Sequence, residues 1–292
     1  MKPCHRVRQP SIRSYSIVRR LQTLGRETTK KKTTTPTTLR ERCLSHFAIL
    51  GIPITPEDFD AALLCAEKQA ISPLAFLDTV LGDQAAKRWE RSIERRIREA
   101  QFAEPKMLEV FDWNFNRKAI DRQQIEQLAT AEFIERRTNL IMIGQAGVGK
   151  SHLIQAIGRK ACALGYRVLY RTSAKLITDL TASLADKTLP QTLRFYTRPQ
   201  LLIIDEWGFD RVERLESPQA AHLLYKVVAS RNQQCATALV SNIDFDRWGD
   251  YMADGPLAMA FLDRLVDGAI IIKITGDSYR AQRKRNGEKP SS

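Results

Sequence analysis

The chain has 292 residues, 43% of them hydrophobic, and carries 46 Lys and Arg against 33 Asp and Glu for a formal net charge of +13. That size supports one large domain or two modest ones with a real core, and nothing approaches an 18-residue apolar run, so no membrane span is expected. Five cysteines without a C-x-x-C pair, beside four histidines, argue against a zinc site or a disulfide framework and fit a reducing cytoplasm.

The charge is concentrated at the ends. Residues 1–40 hold 11 Lys and Arg against the single acid Glu27, and residues 280–292 hold five against Glu288. The 239 residues between carry 30 basic and 31 acidic groups, so the body is close to neutral. Residues 1–38 read as a disordered basic extension, with Lys30-Lys31-Lys32 running into a Thr-rich stretch and no apolar core of a secretion signal. Residues 281–292 read as a basic C-terminal tail. Such arms can neutralise phosphates of nucleic acid or stay solvated.

Residues 39–104 read as a small helical domain for partner or DNA binding. Leu39, Cys43, Phe47 and Leu50 recur at helical spacing and stop at Gly51. Thr55-Pro56-Glu57-Asp58 is an N-cap followed by proline and acids. Ser72-Pro73 starts a long helix expected to run to about Gln101. On it Arg88, Arg91, Arg95 and Arg98 form one stripe, which a solvated face explains as well as a phosphate-tracking one. Residues 105–137 read as a linker with a connecting helix over 121–135.

From Thr138 strands and helices alternate. Strands are expected at 140–143, 167–171, 201–204, 236–241 and 269–274. Helices are expected to Leu164, near 174–184, from Ser217-Pro218 to Arg231, and at 246–252 and 257–266. This is an α/β domain with a doubly wound parallel sheet, over 138–280.

Within it, Gly144-Gln145-Ala146-Gly147-Val148-Gly149-Lys150-Ser151 is a complete G-x-x-x-x-G-K-[ST] phosphate-binding loop. It lies between the apolar run 140–143 and a helix-like segment beginning at His152, the context in which loop amides point at an anion. Residues Gly144 to Ser151, together with His152 and Asp205, form the expected ATP contacts. Lys150 would reach the β- and γ-phosphates and the Ser151 hydroxyl would sit on Mg²⁺. Leu201-Leu202-Ile203-Ile204-Asp205-Glu206 places two carboxylates at a strand end, 55 residues after Lys150. Asp205 can hold Mg²⁺ and Glu206 can polarise an attacking water, so ATP hydrolysis is the expected chemistry. Asn242, after the strand 236–241, could hold that water or contact the γ-phosphate, or simply cap the next helix.

These motifs, followed by Trp207-Gly208-Phe209, Ser241-Asn242, Asp263-Arg264-Leu265 and Ser278-Tyr279-Arg280, resemble those of the IstB-like transposition helper ATPases. These are AAA+ proteins related to the DnaC helicase loader, and the resemblance covers roughly residues 39–285. It implies that Asn242 is the sensor-1 residue, that Arg264 is an arginine finger for a neighbouring subunit, and that Arg280 is sensor 2. It also implies an ATP-dependent homo-oligomer on double-stranded DNA that recruits or stimulates a partner transposase. Family members usually carry Pro-Pro-Gly-Thr-Gly where this chain has Gln145-Ala146-Gly147-Val148-Gly149, a change that touches no phosphate-binding requirement. A replicative helicase loader would share the nucleotide chemistry. A DNA-binding scaffold with little turnover is the other reading, and Glu206 speaks against it.

Overall fold

The computed structural model describes residues 38–209, 219–279 and 281–282. The basic extension as far as residue 37, the helix start at Ser217-Pro218, Arg280 and the tail beyond Gln282 lie outside the described residues. Two compact units divide between Gln84 and Ala85.

In the first unit, α1 (Leu39–Ile49) starts in a capping box, Thr38 Oγ1 accepting from the Glu41 amide and the Glu41 carboxylate accepting from the Thr38 amide. Helix α2 (Pro56–Gln69) is capped by Thr55, carries Pro56 in its first turn, and ends at Ala70 in the left-handed conformation. Helix α3 (Pro73–Ala100) follows. Phe59 packs between Phe47 and Phe76, at ring distances of 5.5 and 6.4 Å. Among the described residues up to Gln84 only Phe59 and Val80 are buried, a thin core for a free-standing domain. The unit ends 20 residues short of the expected boundary at 104. The reason is that Ile97, Ala100 and Phe102 pack into the core of the second unit.

Among the described residues, the second unit holds five parallel strands: β1 (Leu140–Ile143), β2 (Val168–Thr172), β3 (Leu201–Trp207), β4 (Ala236–Ser241) and β5 (Ile270–Lys273). Their order across the sheet is β5-β1-β4-β3-β2. The strands are continuous apolar runs because both faces are covered. Leu140 and Met142 turn to one side, packing with α6 (Lys150–Ala163) through Leu153 and Ile157. Ile141 and Ile143 turn to the other, towards α7 (Ser173–Ala185), α9 (Ala220–Arg231) and α11 (Gly255–Val266), through Leu176, Leu224 and Phe261.

The connecting helix expected over 121–135 is two short ones, α4 (Arg122–Leu128) and α5 (Glu132–Glu135), separated where Ala131 takes a left-handed φ of 64°. Helix α8 (Leu189–Thr197) was not anticipated, although Leu189, Leu193 and Tyr196 recur at helical spacing; Tyr196 is buried and the two leucines pack against the same core. Its C-terminal turn is tied down by Arg231, 1% exposed, whose guanidinium donates to the carbonyls of Tyr196 (2.9 Å), Thr197 (3.4 Å), Pro199 (2.9 Å) and Ala236 and to Thr237 Oγ1 (3.0 Å). Burial pulls the Arg231 pKa down to about 10, so the cation stays charged at neutral pH. Helix α10 (Trp248–Met252) precedes α11. No helix among the described residues is long and apolar enough to cross a membrane.

Candidate nucleotide site

The loop Gly144–Gly149 leaves the C-terminal end of β1 and feeds α6, which begins at Lys150. Gly147 has φ +87°, and a Cβ there would lie 2.2 Å from Ser278 Oγ; at Gly144 it would meet the Ile274 carbonyl at 2.1 Å. The glycines therefore serve two needs, the left-handed turn at Gly147 and the close approach of the segment 274–279. That segment is held by Tyr279 N donating to the Gly147 carbonyl at 3.0 Å and by Asn116, which exchanges bonds of 2.9 and 3.0 Å with the Asp277 backbone. The Gln145 amide bonds to the Gly276 carbonyl. Ala146 is exposed and Val148 buried. On the other flank His152 Nε2 meets the Met107 carbonyl at 2.8 Å, and Phe111 packs edge-on against the imidazole at 5.1 Å. Burial is the largest influence on His152 and holds its pKa below the usual range. Neither Asn116 nor the Met107–Phe111 segment carries a motif, and sequence reading passed over both.

Strand order explains how the reactive groups meet. Strand β4 lies between β1 and β3, so the residue following β4 stands between the phosphate loop and the carboxylates. That residue is Asn242, whose Oδ1 accepts from Lys150 Nζ at 2.9 Å. Lys150 is 4% exposed and also donates to the Gly144 and Gln145 carbonyls, at 2.7 and 2.9 Å. The ammonium is thus fixed at the mouth of the loop, where a polyphosphate would receive it.

Asp205 is 1% exposed. Its Oδ1 accepts from Ser151 Oγ at 3.0 Å and from the Glu206 amide at 2.8 Å, and its Oδ2 accepts from Tyr170 Oη at 2.8 Å. Ser151 and Asp205 offer two hard oxygens facing each other, which fits a small divalent cation completed by phosphate oxygens and water. These two residues would hold Mg²⁺, whose chemistry is to neutralise charge on the phosphates. Glu206 follows on a β-bulge. Ile204 pairs with Leu239 and Trp207 with Ser241, so β3 spends one extra residue, and Glu206 takes a left-handed φ of 61°. Such a conformation costs about 1–3 kcal/mol and persists only when its surroundings enforce it. Here Trp207 is clamped by Trp248, Tyr251 and Phe261 at ring distances of 4.8–5.3 Å. The result leaves Asp205 and Trp207 buried and Glu206 exposed between them.

Tyr170 was missed. It sits on β2 opposite Ile203, one diagonal step from Asp205, a relation visible only once β2 is known to border β3. Burial, then the charge of Asp205, raises the phenol pKa far above its usual value, so it remains a donor. Tyr170→Phe leaves a buried carboxylate oxygen without that donor, which costs about 1–3 kcal/mol. It is expected to lower the melting temperature and raise the Mg²⁺ concentration needed for nucleotide binding. An unchanged Mg²⁺ titration would remove Tyr170 from any positioning role.

Arg264 is not brought to this cluster. Its guanidinium is about half exposed and pairs with Asp263 at 3.7 Å. Its carbonyl and that of Leu265 accept from Asn139 Nδ2 at 3.3 and 3.1 Å, at the start of β1 and so at the end of the strand away from the loop. Asn139 Oδ1 also accepts from the Thr237 amide at 2.9 Å, joining β1, β4 and the end of α11.

A parallel sheet of this order, with a phosphate loop after its first strand and carboxylates ending its third, is the AAA+ P-loop fold. A solved structure of DnaI has a likeness to it at a TM-score of 0.49 and 24% identity, covering 59% of this chain and 92% of that one. The chain belongs to the IstB-like ATP binding protein family, whose model matches residues 49–287. It is 33% identical to the ATP-binding protein of insertion sequence IS5376 from Geobacillus stearothermophilus, covering 85% of this chain and 96% of that protein. It is 35% identical to the counterpart from insertion sequence IS21 of Pseudomonas aeruginosa, covering 75% and 81%.

Proposed function

We propose that this protein is an ATP-hydrolysing helper of transposition that assembles with ATP and Mg²⁺ on double-stranded DNA and recruits or stimulates a partner transposase. The observation that carries the chemistry is the convergence of Lys150, Asn242, Ser151 and Asp205 beside a bulge that leaves Glu206 exposed. Lys150 and the loop amides bind the β- and γ-phosphates, Ser151 and Asp205 hold Mg²⁺, Glu206 polarises water, and Asn242 orients that water or the γ-phosphate. Phosphoryl transfer to water needs little more than such positioning and neutralisation of charge. Arg264 completes the site of an adjacent subunit, and Arg280 acts as a second sensor. The relatives named as insertion-sequence ATP-binding proteins support the biological setting.

The DNA partner is supported by the charge distribution. Arg88, Arg91, Arg95 and Arg98 are all exposed along α3, and the N-terminal 40 residues carry 11 basic groups. Binding is expected to be largely indifferent to sequence and steeply salt-dependent, each phosphate contact adding about −0.9 to the slope of log affinity against log salt. Duplex binding measured over a salt series tests this in three proteins: the full chain, a deletion of residues 1–38, and Arg91→Ala with Arg95→Ala. If neither change makes the slope shallower, the basic segments do not contact DNA. DNA-stimulated ATP hydrolysis, absent without Mg²⁺, tests the reaction itself.

A further inference from the structure

A cleft of about 660 Å³ opens beside the N-terminal end of β2, the edge strand, at the far end of the strand from Thr172, which pairs with Asp205. Four arginines line it: Arg96 from α3, Arg167 ahead of β2, Arg194 from α8 and Arg198 just beyond α8. They come from three separate stretches of chain, and Arg96 is not part of the Arg88–Arg98 stripe. One carboxylate, Glu99, shares the lining, and its ion pair is with Arg95 at 3.9 Å. Among the described residues no carboxylate pairs with Arg167, Arg194 or Arg198. Arg96 lies 5.2 Å over the Trp89 ring, and its Nη1 is buried without a hydrogen-bond partner. Like charges gathered around one concavity repel, and the repulsion is relieved when an anion enters.

Two features select the anion. Guanidinium forks match phosphate oxygens in pairs, and four of them suit a repeating phosphodiester. Phe195, also in the lining, is 46% exposed and places an aromatic ring among these cations, with Arg171 5.5 Å over that ring. Cations interleaved with an aromatic platform is how single strands are held, because an unpaired base can stack on the ring whereas a base within a duplex cannot reach it. We propose that this cleft binds single-stranded nucleic acid, with phosphates on Arg96, Arg167, Arg194 and Arg198 and a base against Phe195. The inference rests on the reading of the chain as a DNA-acting protein and adds a second mode of contact to it.

Fluorescence anisotropy of the full chain with a short labelled oligothymidylate, and with a duplex of equal length, tests it. Arg167→Gln, Arg194→Gln and Arg198→Gln together change exposed side chains. They are expected to weaken the single strand and to make its salt slope shallower by about 2, at about 0.7 per phosphate lost. Phe195→Ala is expected to weaken it about fivefold or more with the slope unchanged, since stacking on one base is lost. Duplex binding should change much less in both. If the triple variant melts early, Phe195→Ala carries the test through the same readouts. Unchanged single-strand affinity in a triple variant that still binds duplex would overturn the proposal and leave the cleft to an acidic protein segment. Equal losses on duplex would overturn the single-strand assignment. A full chain that binds neither DNA would instead overturn the proposed function itself.

Discussion

Glu206→Gln is expected to bind ATP as tightly as the unaltered chain and to hydrolyse it about 10²–10⁴-fold more slowly, the range typical of a lost general base. The amide keeps the size of the side chain and the bulge that turns it outwards, but it cannot polarise water. Lys150→Ala is expected to fail one step earlier. It removes the buried ammonium that Asn242 and two loop carbonyls hold at the mouth of the cradle, so nucleotide affinity itself should collapse. Equilibrium nucleotide binding beside single-turnover hydrolysis separates the two. Hydrolysis at the unaltered rate in Glu206→Gln would take this residue out of the reaction.

Arg264→Ala is expected to bind ATP normally and to lose about 10³–10⁵ in hydrolysis rate, the range for a finger that neutralises charge on the transferred phosphoryl group. Its backbone carbonyl lies by the start of β1, at the end of the strand away from the phosphate loop, so the target proposed for its side chain is another subunit's nucleotide. Activity per subunit should therefore rise with protein concentration in the unaltered chain and stay flat in the variant. Mixing Arg264→Ala with Lys150→Ala should restore part of the rate, because each supplies the half of a shared site that the other lacks. Co-assembled but inactive mixtures would make Arg264 a helix-end cation and nothing more.

The phosphate loop and Asp205-Glu206 were legible in the sequence because their constraints are local: a strand, a turn of glycines and a helix must be consecutive in the chain. The alternation of buried runs and helical periods likewise located all five strands. What stayed hidden depends on neighbours far apart in sequence. Tyr170 reaches Asp205 only because β2 borders β3, and Asn116 meets Asp277 across 161 positions. The bulge at Glu206 has no composition of its own; it comes from the register between β3 and β4 and from the tryptophan anchored beyond it. Ala131 breaks the connecting helix although alanine is the best of helix formers, a case of packing overriding propensity. Helix α8 carried a readable period, but its cleft draws on α3 and β2 as well, and no window of sequence spans them.

Arg231 holds four carbonyl oxygens and one hydroxyl in directions that only a planar fork can serve at once. An ammonium has three donors on a single point, so a lysine there would keep the charge and strand part of the joint. The position thus behaves as a keystone whose shape, more than its sign, holds the joint, and it braces the arginine cleft built on α8 from behind, through the carbonyl of Pro199 in the cleft's lining.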